Sequence, residues 1–190
     1  MRTLSALALA ATLVAAPAFA QGPPDPSARI AKQQAAMKAL SWMDGVWRGP
    51  AVTTRPGGQK ITVTQTERSG PLLGGAVHMV EGRGYNADGT TGFNALGIIS
   101  YDPDGDAYSM RSYAMGRVGD FPLTVTPTGA VWTIPAGPAT IRYTITAKDG
   151  VWHEVGERVV EGQPPVPFFE MTLKRIGDSS WPAAGAIPPN

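Results

Sequence analysis

Cysteine is missing from this chain altogether. That excludes disulfides, thiol nucleophiles and the modified cysteine of a lipoprotein. Charge is sparse, at 16% of residues, and forms no basic run, which argues against nucleic acid, whose binding rests on clustered Lys and Arg. No apolar segment beyond the N-terminus approaches the eighteen or so residues of a membrane-spanning helix. The chain also lacks a phosphate loop, a dinucleotide fingerprint and a Gly-x-Ser-x-Gly elbow. Chemistry, if any, must come from scattered side chains.

What is present begins with an address. The first twenty residues, MRTLSALALAATLVAAPAFA, have a cationic start at Arg2, an apolar stretch and a small-x-small site at Ala18-Phe19-Ala20. That pattern predicts a secretory signal cleaved after Ala20, and a periplasmic or secreted protein. The apolar run is too short and alanine-rich for an anchor, and Pro17 interrupts it. Arg2 is the one charged residue in the segment, so the 170 residues that follow are formally neutral, with 15 bases and 15 acids. That length suits one domain and a core of its own.

Residues 21–37 read as a Pro-rich leader and a short helix. Asp25-Pro26-Ser27 offers helix-start chemistry, and Ile30, Met37 and Leu40 share one narrow face. A face this narrow, otherwise alanine, predicts a helix lying on a surface. Residues 38–177 read as a β domain. Turn clusters recur about every ten residues, among them Pro56-Gly57-Gly58, Gly70-Pro71 with Gly74-Gly75, Asn86-Ala87-Asp88-Gly89, Asp102-Pro103-Asp104-Gly105 and Gly116 to Gly119. They bracket ten expected strands: 46–54, 60–68, 75–84, 92–101, 107–114, 121–126, 130–134, 139–147, 151–160 and 168–176. Residues 178–190 form a loosely held tail. Hairpin after hairpin implies an antiparallel meander, and closing it into an up-and-down barrel removes its two edges. The expected fold is all-β, with about ten strands and room inside for a small ligand.

The start of the first strand, Met43-Asp44-Gly45-Val46-Trp47-Arg48-Gly49, carries a resemblance. A helical turn, then Gly-x-Trp, then a meander resembles the calycin superfamily of lipocalins, fatty-acid-binding proteins and nitrobindins. Further features are Gly97 to Asp102, Tyr108, Arg111-Ser112-Tyr113, Trp152-His153-Glu154 and Phe169-Glu170-Met171. With these the pattern is similar to secreted bacterial lipocalin-like domains of unknown function. The resemblance implies that Gly45 and Trp47 form the barrel floor and that Arg175, near the end of the last strand, packs over the Trp47 ring. It also implies a small apolar or amphipathic molecule as the partner, with no cofactor required. Nitrobindins hold haem through one His, which makes His78 or His153 the candidate for that alternative.

Alternation sorts the strands into faces but does not say which face is inside. Arg111, Tyr113, Trp152, Glu154 and Glu170, with His78, are the candidate lumen residues; sharing one interior, they would give an aromatic pocket with a cation and two acids. The alternatives are an acid–base catalyst using Glu154, Glu170, His78 or His153, and a structural module with a filled interior. Asp102-Pro103-Asp104-Gly105-Asp106 fails the EF-hand spacing and reads as a hairpin turn. His153-Glu154 lacks the second His of a zinc-protease helix. No metal site or catalytic residue is assigned.

Overall fold

The computed structural model describes residues 25–179. The expected signal segment lies outside them, as does most of the expected tail. Asp25 caps the first helix, α1 (Pro26–Met37), its carboxylate accepting from the Ser27 amide at 2.9 Å while Pro26 takes the first helical position. A 3₁₀ segment, Lys38–Met43, follows directly.

Ten strands come next: β1 (Gly45–Thr54), β2 (Lys60–Leu72), β3 (Val77–Tyr85), β4 (Thr91–Asp102), β5 (Ala107–Ala114), β6 (Arg117–Thr126), β7 (Gly129–Ala136), β8 (Ala139–Lys148), β9 (Val151–Val160) and β10 (Val166–Gly177). Each pairs antiparallel with its sequence neighbours, and β1 pairs with β10, so the sheet closes into a barrel without edges. The all-β barrel expected from the turn rhythm is the observed fold.

Two boundaries differ from expectation. β2 does not turn at Gly70-Pro71 but stays paired with β3 to Leu72. The reversal falls in the second half of that expected turn, at Leu73, Gly74 and Gly75, which all have positive φ. Likewise β6 begins at Arg117 rather than at 121, because Met115 and Gly116, both at positive φ, make a two-residue hairpin.

The helix end is a correction as well. Most of α1 lies exposed, as expected, but Met37, Leu40 and Met43 are buried and Leu40 has no exposure. They join Trp47, Ile99, Leu173 and Trp152 in one apolar cluster that plugs one end of the barrel. A closed barrel has two open ends, and covering one with Leu and Met removes their surface from water. Side-chain contacts hold α1 across this end, Gln34 donating to the Gly74 carbonyl at 2.9 Å among them. Tyr108 donates to the Ala36 carbonyl at 2.9 Å, Gln33 to the Tyr101 carbonyl at 3.3 Å, and Arg29 pairs with Asp104.

Candidate functional site

Strand register decides which face is inside. On β9, Trp152, Glu154 and Gly156 are buried while Val151, His153 and Val155 are half-exposed. Leu173 and Met171 stand opposite Trp152 and Glu154, and Ala51 of β1 stands opposite Met171. Carried round the barrel, the inward set includes Val63, Gln65, Glu67 and Ser69 of β2, His78 of β3, Met110 of β5 and Trp132 of β7.

The floor is sealed by aromatic packing. Trp152 meets Trp42 edge-on at 5.4 Å between centroids and Trp47 at 5.8 Å. Trp47 also donates its indole N–H to the Met43 carbonyl at 2.8 Å. Arg175 is the register partner of Trp47, but the expected packing of its guanidinium over that ring does not form. Its Nε donates to the Asp44 carbonyl at 3.1 Å and its terminal nitrogen pairs with Asp178. The group lies against Gly45, where a Cβ would sit 2.8 Å from Nε. Gly45 has φ +128, so this closure needs a glycine both for its backbone and for its space.

His78 and Ser69 are buried in the same floor, with Ser69 Oγ 2.7 Å from His78 Nε2 and Asp44 Oδ1 3.6 Å from it. These are the residue types of a hydrolytic triad. A triad, however, needs the acid on the ring nitrogen opposite the serine, and here both contacts fall on Nε2. Burial pushes the His78 imidazole down to about 4 and raises the Asp44 carboxyl, so the imidazole is neutral at physiological pH. Neither histidine suits haem: the Nε2 of His78 is engaged by Ser69 within the floor, and His153 faces outward, 3.1 Å from Glu170.

Above the floor the inward positions become aromatic and less buried. Trp132 and Tyr143 stack with centroids 4.3 Å apart and planes 9° from parallel, Phe121 tilts against Trp132, and Phe169 meets Tyr143 edge-on. All four are half-buried, and Phe93, nearest the far end, is 37% exposed.

Between aromatic wall and floor sit two carboxyls, Glu67 and Glu154, each 8% exposed. Gln65 donates to Glu67 at 2.7 Å, and the Trp132 indole N–H reaches Glu154 at 3.4 Å. Burial raises Glu67 to about 8, with the charge of Glu154 adding to the effect. Burial likewise raises Glu154 to about 7, opposed by the indoles of Trp132 and Trp152 and by His153. β3 makes room for the β2 side chains with glycine: a Cβ on Gly82 would lie 2.6 Å from the Glu67 carboxylate, and one on Gly84 would lie 3.0 Å from Gln65.

The expected lumen set is therefore split. Trp152, Glu154 and His78 face inward. Arg111, Tyr113 and Glu170 do not, because they occupy the alternate positions of β5 and β10, whose inward residues are Tyr108, Met110, Met171 and Leu173. Arg111 pairs with Asp120 at 2.7 Å and with the Tyr113 hydroxyl at 2.9 Å on the outer surface. Glu154 and Glu170 thus stand on opposite sides of the wall and form no acid–base pair. Glu67 was missed. The segment Thr62 to Arg68 is polar on both faces, and the one available signal was Gly82-Arg83-Gly84, two glycines spaced to leave one sheet face bare.

Together these features define a closed ten-stranded antiparallel barrel with a plugged floor, two buried carboxyls and aromatic side chains toward the opposite end. Among solved structures it is similar to the crystal structure of Rv2717c from M. tuberculosis, with a TM-score of 0.57 and 13% sequence identity, over 74% of this chain and 97% of that one. At that identity the likeness is one of fold. No protein-family model matches the chain, and no curated protein sequence does.

Proposed function

We propose that this is an exported, lipocalin-like protein that binds one small apolar or amphipathic molecule in the mouth half of its barrel. The observation that carries this reading is the gradient of burial along the inward faces. Leu173, Ile99 and Trp152 at the floor are 0–2% exposed, whereas Trp132, Tyr143, Phe121 and Phe169 above them keep contact with solvent. Side chains that point into a barrel reach water only through its interior, so the aromatic wall lines accessible space. A filled interior would leave these rings as buried as Leu173. Apolar walls with a few convergent polar groups are what orient a small ligand, and covering such rings yields about 25 cal/mol per Å² of apolar surface removed from water.

Isothermal calorimetry with 1-decanol, decanoate and decylamine tests the reading. Saturable one-to-one binding of at least one is expected, weakened about tenfold or more by Trp132→Ala, as truncating a buried aromatic anchor does. Absence of saturable binding for all three would overturn it. Export is tested separately, by N-terminal sequencing of the periplasmic fraction. A mature chain starting at Gln21 is expected, and a cytoplasmic chain that keeps Met1 would exclude it.

A further inference from the structure

We propose that the lumen selects an amphiphile with a cationic nitrogen head, a long-chain or arylalkyl amine, whose ammonium sits between Glu67 and Glu154. This deepens the lumen-binding reading and rests on it.

The charge pattern of the inward face is the first ground. Glu67 and Glu154 are its mid-barrel charges, and the inward-register cations, Arg117 and Arg158 at the mouth end and Arg175 at the floor end, are exposed. The influences on Glu67 are burial, Gln65 and the charges of Glu154 and Glu81, and those on Glu154 are burial, the two indoles and His153 across the wall. No lysine or arginine is among them. A calycin-like barrel built for a carboxylate head would need an inward cation at this depth. Here a carboxylate guest would meet like charge in a low-dielectric interior.

The second ground is independent of charge. The Trp152 indole N–H belongs to a side chain that is 2% exposed, and it reaches the Glu154 carboxyl only outside ordinary hydrogen-bond geometry. Trp132 approaches that carboxyl from another strand at 3.4 Å. Two indole donors thus converge on one buried carboxyl, one held long and one outside ordinary geometry. Buried donors in folded proteins are nearly always satisfied, and a carboxylate offers about four acceptor sites. These donors favour the charged form of Glu154 against the larger effect of burial, and a counter-cation would favour it further.

A metal ion fits this place poorly. Among the described residues no three His, Cys, Asp or Glu side chains converge, so an ion would find two carboxylates and an amide beneath an apolar wall. An organic ammonium uses both halves of the site. Its charge meets the carboxyls, and its hydrocarbon lies against Phe121, Trp132, Tyr143 and Phe169, whose ring faces also attract cations.

Titration calorimetry of the full chain at pH 7, in two buffers of different ionisation heat, reads both affinity and proton exchange. Decylamine is expected to bind about tenfold or more tighter than 1-decanol, the effect of one added charge-assisted hydrogen bond, with decanoate weakest. Amine binding should release protons, because an ammonium drives both carboxyls toward the ionised state, and decanol binding should not. In Glu67→Gln and Glu154→Gln the amine-to-alcohol affinity ratio should fall toward one. Decanoate binding as tightly as decylamine, or an amine preference that survives both substitutions, would overturn the proposal while leaving lumen binding intact. Failure of all three to saturate would remove both readings. Should either variant not fold, proton release by the unsubstituted chain decides alone, and its absence would overturn the proposal.

Discussion

In the unfolded chain Glu67 and Glu154 lose their protons near pH 4.5; in the barrel burial holds them to about 8 and about 7. Between those limits the folded state binds more protons than the unfolded one, so stability falls as pH rises. Below about pH 4.5 that contribution is fully present. His78 behaves oppositely, being moved from 6.5 down to about 4. Its contribution is complete above pH 6.5 and is lost as acid protonates the unfolded chain first. With two carboxyls against one imidazole, stability should therefore peak near pH 4.5, fall gently to about 6.5 and fall more steeply above it. Thermal melts from pH 4 to pH 9 should show a decline that steepens above about pH 6.5, and Glu67→Gln should flatten it by an amount on the order of a few kcal/mol. A decline unchanged in that variant would show that the Glu67 carboxyl is not held protonated.

The 3₁₀ segment Lys38–Met43 matters more to the barrel than α1 does, because it supplies two buried plugs of the floor. Leu40→Ala should cost about 2–5 kcal/mol in urea denaturation, as truncating a fully buried leucine does. Ile30→Ala, at a position 46% exposed in α1, should fall within about 0.5 kcal/mol of the parent. In a double-mutant cycle Trp47→Ala and Trp152→Ala should couple by about 0.5–1.5 kcal/mol, as edge-on aromatic pairs do; strict additivity would mean the ring contact contributes nothing. At this scale the sequence was legible in some places and opaque in others. Turn residues marked all nine connections between the ten strands well enough to count them, since Gly, Asn and Asp are favoured where φ is positive. Inside and outside were not legible. The alternation on β9 separates Trp152 and Glu154 from His153, yet a single strand does not say which set faces the core. Only the pairing of Glu154 with Met171 and of Met171 with Ala51 settles it. Arg111, Tyr113 and Glu170 were grouped with the interior for want of that register.

Across the whole molecule the barrel divides into a fully buried half at the floor and a half-buried half opposite it. Hydrogen exchange should follow this division, because protection tracks packing around the ladder. Amides near Trp47, Ile99 and Leu173 should exchange slowest, and those near Phe93, Ile134 and Ile141 faster; uniform protection along the strands would contradict a solvent-accessible mouth. Fold class was readable from the chain because a meander repeats one local signal ten times. The carboxyl pair was not readable, because Glu67 and Glu154 are separated by most of the barrel in sequence and meet only through closure.

Ten is an even number, and each strand of the meander reverses the one before it. The segment leading into Gly45 and the residues after Gly177 therefore stand side by side at the plugged end, where Arg175 links Asp44 to Asp178. The opposite rim consists solely of hairpin turns. A linker attached at either side of residues 25–179 would leave the molecule oriented like a cup held by its base, with its opening turned away from whatever surface carries it.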